Sequence, residues 1–157
     1  QSMINTSVKA VQALMKFMIK YYKHHKIDGY ILNTASSAGL LAAGPYMATY
    51  YATKAYVTSL TVAVAEELRQ EGSGIYVGCL CPGPVNTEFN DVANVEFALK
   101  GISARDCARA AVRGMFLRKT IIVPEKYLRF VLAGAKVLPR TFASRLTAHQ
   151  QKKKLGK

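Results

Sequence analysis

Ser37, Tyr50 and Lys54 are the residues of this chain whose types and spacing suit proton transfer to an oxygen atom. Tyr50 and Lys54 stand four apart, so on a helix they share a face. A phenol is a poor acid at neutral pH unless a neighbouring cation stabilises its anion. Ser37 lies thirteen residues before the tyrosine, a distance a loop can fold back across. Its hydroxyl can hold a carbonyl oxygen or the alkoxide that replaces it.

Two elements must bring these side chains together. Tyr30 to Ala35 reads as a buried strand, and the stretch from Thr49 or Tyr50 to about Glu71 reads as a helix with apolar recurrence through Ala52, Ala55, Val57, Leu60, Val64 and Leu68. The junction between them puts polar groups at the carboxyl end of a strand, where open α/β sheets place their ligands. Upstream, Met3, Val8, Val11, Leu14, Met15, Met18 and Ile19 predict a helix that runs out in a polar loop at Tyr21–Lys26, with His24 and His25 as surface residues. Downstream, Gly72-Ser73-Gly74 stops the long helix. Ile75–Cys81 is a nearly continuous apolar run, the pattern of a parallel strand covered on both faces. Pro82-Gly83-Pro84 ends it. Residues 86–101 are a mixed, irregular segment that reads as a short helix and loops. Ser103–Asp106 resembles a capping box opening a helix through Phe116, and Thr120–Val123 is a third short strand. Leu128, Val131, Leu132, Val137 and Leu138 then form an apolar stripe edged by Lys126, Arg129, Lys136 and Arg140, followed by a short helix from Phe142 to about Gln150 and a lysine tail. Helices and strands alternate, the order of an α/β fold.

Composition narrows the classes. A chain of 157 residues, half of them apolar, can bury one core. No apolar run is long enough to span a bilayer as a helix, and no secretory signal pattern is present, so a cytoplasmic protein, or one associated with a membrane on its cytosolic face, is expected. Cys79, Cys81 and Cys107 form no CxxC or Cys/His cluster and read as buried free thiols, with no metal site. The net charge of +13 is lopsided: residues 1–99 carry seven basic and seven acidic groups, whereas residues 100–157 carry fifteen basic groups against Asp106 and Glu125. That excess suits an anionic membrane surface through residues 125–157, an acidic partner or an anionic substrate. A solvated basic face is the plainer alternative. Nucleic acid is not expected, because aromatic and basic residues do not interleave as a stacking platform requires.

Together, Ser37, Tyr50-x-x-x-Lys54, Asn33 at the end of the preceding strand and Pro82-Gly83-Pro84-Val85-Asn86-Thr87 resemble the classical short-chain dehydrogenase/reductase family, over about residues 4–123. Singly, each of these features is commonplace: a Tyr/Lys pair four apart arises by chance, and Pro-Gly-Pro is usually only a turn. The resemblance implies a partial Rossmann-type parallel sheet of about three strands flanked by helices, and three αβα layers in the intact protein. It implies hydride transfer between NAD or NADP and a carbonyl or secondary alcohol. Tyr50 would be the general acid/base, Lys54 would stabilise the phenolate and hydrogen-bond the nicotinamide ribose, and Ser37 would orient the carbonyl. Asn5 matches the helix asparagine that holds a water in the proton relay. Pro82, Gly83 and Val85 would pass along the nicotinamide, and Thr87 would bind its carboxamide or the pyrophosphate. Val92, Val95, Phe97 and Leu99, in the stretch matching the substrate lid, lean toward an apolar substrate.

The family's glycine-rich turn of the TGxxxGxG type does not occur in the sequence, nor does its Asn-Asn-Ala-Gly stretch. The chain therefore reads as residues 1–157 of the C-terminal part of one dinucleotide-binding domain, lacking the cofactor-cradling N-terminal half, with 125–157 as a basic helical extension. It is expected to bind dinucleotide poorly by itself. Homo-oligomers paired through the helices at 3–22 and 49–71 are also expected. The alternative is a non-catalytic interaction or membrane-surface module that keeps the fold.

Overall fold

A computed structural model describes residues 2–86 and 101–154. The core is a three-stranded parallel sheet, β1 (Tyr30–Thr34), β2 (Tyr76–Leu80) and β5 (Ile121–Ile122), with β2 in the middle. Every residue of β2 is buried, as its unbroken apolar run requires. Alternation of side chains across the strands divides the packing between two faces. Ile31 and Val77 meet helices α2 (Val11–His25) and α3 (Ala48–Gln70) through Met15, Ile19, Leu60, Val64 and Leu68. Leu32, Leu80 and Ile122 meet α4 (Ala104–Phe116) through Cys107 and Ala111. Helices on both faces make three layers, the partial Rossmann-type arrangement that the family resemblance implies.

A third apolar cluster gathers Ala35, Val57, Cys79, Cys81 and Val123 with Leu128 and Leu132 of α5 (Lys126–Val137). Helix α6 (Arg140–Lys154) follows. All three cysteines are free and buried. No helix among the described residues is long and apolar enough to cross a membrane, and no cluster of three or more His, Cys, Asp or Glu side chains suited to a metal ion occurs among them.

Several local expectations need correction. The first helix does not run out at Tyr21: a helical turn α1 (Ser2–Ile4) and a π-helical segment (Asn5–Ala10) lead into α2, which continues through His25. The half-buried Tyr22 packs beneath that last turn, and Lys26 ends it in a left-handed conformation, φ 54°. Lys23 thus places its charge at a helix carboxyl end, where the macrodipole favours a cation. Val85–Asn86 and Ile102–Ser103, not expected as strands, pair as a short parallel ladder, β3 (Val85–Asn86) with β4 (Ile102–Ser103), while the short helix and loops expected between them lie outside the described residues. Helix α6 absorbs most of the expected lysine tail. At α4 the cap is as expected, with Ser103 Oγ accepting the Asp106 N–H at 3.0 Å.

Candidate active site

Lys54 is the centre of the arrangement. Its Nζ donates to the Thr34 carbonyl, 3.2 Å away at the end of β1, and lies 5.8 Å from the centroid of the Tyr50 ring. One helical turn separates the two side chains on α3, so the helix repeat sets the phenol and the ammonium side by side. Lys54 is half-buried, and that desolvation lowers its pKa below the ordinary lysine value. Tyr50 is half-buried too, and its ring meets Tyr51 edge-on at 6.2 Å.

Ser37 is brought to α3 by backbone geometry. Ser36 caps a single 3-10 turn (Ser37–Leu40), its side chain accepting the Ala38 N–H. Gly39 then rests on α3 so closely that a Cβ would stand 2.5 Å from the Lys54 carbonyl oxygen. Only glycine permits that approach. Ser37 N donates to the Pro82 carbonyl at 2.8 Å, which ties the serine turn to the loop after β2. The carboxyl ends of two adjacent parallel strands are therefore tied together through the Ser37 turn, which packs on α3 at the Lys54 backbone.

Other expected residues fall as follows. Pro82, Gly83 and Val85 form the loop leaving β2, and Val85 enters β3. Asn33 points into the α2/α3 layer, donating to Thr61 Oγ1 at 2.9 Å and to Met15 Sδ at 3.3 Å, so it fastens β1 to both helices. Asn5 is exposed on the π-helical segment, and no hydrogen bond among the described residues joins it to Ser37, Tyr50 or Lys54. Thr87, Val92, Val95, Phe97 and Leu99 lie outside the described residues.

Two contributors escape a reading of spacing. Glu125, only 5% exposed, receives the Gly83 N–H on both carboxylate oxygens, at 3.0 and 3.3 Å, and so clamps the Pro-Gly loop to the start of α5. The available signal is an isolated acid, one of two among fifteen basic groups after residue 99. Gln151 of α6 is the other: 3% exposed, it donates from Nε2 to Tyr51 Oη at 2.7 Å, while its buried Oε1 has no hydrogen-bond partner among the described residues. Burial pushes the Tyr51 phenol above its ordinary pKa.

Against known proteins, residues 1–96 match the family model described as short chain dehydrogenase. Dehydrogenase/reductase SDR family member 11 of Bos taurus is 34% identical over 91 residues, 57% of this chain and 36% of that protein. A short-chain dehydrogenase from Sphingobium yanoikuyae, solved in complex with NADPH, is 26% identical with a TM-score of 0.69, covering 85% of this chain and 52% of that one. A 7β-hydroxysteroid dehydrogenase structure, 20% identical, shares the fold at a TM-score of 0.76 over 92% of this chain and 56% of that one. The chain spans between 36% and 56% of the length of these proteins.

Proposed function

Because this chain belongs to the short-chain dehydrogenase family, we propose that it carries the catalytic part of an oxidoreductase acting between NAD or NADP and a carbonyl or secondary alcohol. The observation that carries this reading is Lys54, drawn between the end of β1 and the Tyr50 ring beside the Ser37 turn. The donor set fits the nicotinamide end of a dinucleotide: a half-buried ammonium, phenol and hydroxyl at the carboxyl ends of parallel strands. The turn that would hold the pyrophosphate is absent from the 157 residues. On this reading the chain is the C-terminal portion of a single domain, with 125–157 as its basic extension, and needs an N-terminal half to bind cofactor well.

The cofactor, when bound, supplies or accepts the hydride. In the reducing direction Tyr50 gives its phenolic proton to the carbonyl oxygen, and Ser37 donates a hydrogen bond to the same oxygen. In the oxidising direction Tyr50 takes the proton back. Lys54 stabilises the phenolate that remains and would hydrogen-bond the nicotinamide ribose. Pro82, Gly83 and Val85 would pass along the nicotinamide, and Thr87 would bind its carboxamide or the pyrophosphate. Asn5 holds a water for the relay, a role its place in a π-helical segment supports, since such segments recur at functional sites. The substrate is a small, mainly apolar carbonyl or alcohol. Copies pair through the outer faces of α2 and α3, where Leu14, Phe17 and Val62 are exposed. In the full-length protein, Tyr50→Phe lowers turnover by about 10²–10⁴-fold with unchanged circular dichroism. Turnover near that of the wild type would overturn the acid/base assignment.

A second reading has its own support. Residues 126–157 carry nine basic groups and no acid, so we also assign them a contact with an anionic membrane surface.

A further inference from the structure

Helix α5 is apolar on two opposite sides. Leu128 and Leu132 turn inward and are core residues, so the stripe that periodicity offers for an external contact is half consumed by the fold. Tyr127, Phe130, Val131 and Val137, spaced by three, four and seven residues, turn outward. Phe130 is 80% exposed and Val137 83%. Beyond Pro139 the pattern continues on α6, where Phe142 and Leu146 are exposed while Ala143, Thr147 and Gln151 face inward. Lys126, Arg129, Lys136, Arg140 and Arg145, all exposed, flank this outer surface. A helix apolar all round is ordinarily covered on both sides.

We propose that the outer face of α5, continued by Phe142 and Leu146, inserts into the headgroup region of an anionic bilayer, with the flanking lysines and arginines on the lipid phosphates and carboxylates. Charge selects this occupant. Residues 126–157, which build this surface, carry nine basic groups and no acid, so a second copy of the same face would bring like charges together, whereas anionic lipid neutralises them. Exposed Phe, Tyr, Val and Leu beside Lys and Arg are the composition of a helix lying in an interface. This inference rests on the membrane-surface reading above and is independent of the catalytic one. It adds insertion of named side chains to simple electrostatic attraction.

The chain contains no tryptophan, so Phe130→Trp supplies a single reporter. With phosphatidylcholine/phosphatidylserine vesicles its emission shifts to the blue and is quenched by brominated acyl chains. With phosphatidylcholine alone it changes little. In sedimentation with the same vesicles, Phe130→Glu/Val137→Glu loses about tenfold or more of the bound fraction. Both positions are exposed, so the variant keeps the wild-type melting temperature. Unshifted emission, or a double variant that still binds, would overturn insertion while leaving electrostatic contact standing. No sedimentation of the wild-type chain would overturn both. A concentration-dependent dimer abolished by the double variant, without vesicle binding, would assign the face to a second copy instead.

Discussion

On the proposed mechanism Lys54 meets two opposing demands: it stays charged beside Tyr50, yet it is partly withdrawn from water. Burial lowers its pKa, so the folded protein holds that proton less tightly than the unfolded chain does. Across the window from the lowered folded value up to the ordinary lysine value of 10.5, the unfolded state binds more protons, and this site's contribution to stability rises with pH. Lys54→Met removes that upward slope in urea unfolding followed through the alkaline range, while abolishing turnover of the full-length protein. An unchanged slope would show that the buried amine does not titrate differently on folding. Glu125 allows a sharper test of packing. Glu125→Leu strands the Gly83 N–H and costs about 1–3 kcal/mol, read as a lower melting temperature, whereas Glu125→Gln keeps one acceptor and costs less. Tyr50 and Lys54 are legible in the sequence because a four-residue repeat is itself helix geometry. Glu125 is not, because its partner lies 42 residues away and nothing local records the meeting.

Helix α3 and the serine turn are positioned by contacts that tolerate little change. Gly39→Ala forces a Cβ against the Lys54 carbonyl and is expected to destabilise by about 1–3 kcal/mol and to move Ser37 off the helix. Thermal melting checks the first effect, and in the full-length enzyme a fall in kcat larger than that of a surface Gly→Ala control checks the second. The Tyr51–Gln151 pair makes a different prediction. Tyr51→Phe alone leaves a buried amide with neither end satisfied and costs about 1–3 kcal/mol. The double change Tyr51→Phe/Gln151→Leu recovers most of that loss, since both polar partners then disappear together. Additive effects in the double-mutant cycle would contradict the pairing. At this scale β1, β2, α3 and α4 follow from hydrophobic period and caps. The two sides of α5 do not, because a periodic run shows that Leu128, Val131 and Leu132 are apolar without showing which of them the sheet takes.

Over the whole molecule, the basic extension and the core prove inseparable. Residues 125–132 supply Glu125, Leu128 and Leu132 to the loop and the central cluster, so a chain ended at Pro124 is expected to be insoluble, as sedimentation after expression would show. Membrane contact is therefore better probed by outer-face substitutions than by truncation. The family and the layered fold are readable from Ser37, Tyr50, Lys54 and the alternation of elements. How α6 returns to α3 is not, since that contact depends on a pair 100 residues apart. The same separation has a consequence in time. Closing a loop costs chain entropy that grows slowly with its length, each doubling adding about 0.6 kcal/mol. Tyr51 belongs to a helix that can form as soon as it is made, yet its hydroxyl waits for nearly the last residues to arrive. The wall beside Tyr50 is thus finished late in folding and is the first part to open, so the amides of α6 should exchange with deuterium well before those of α3.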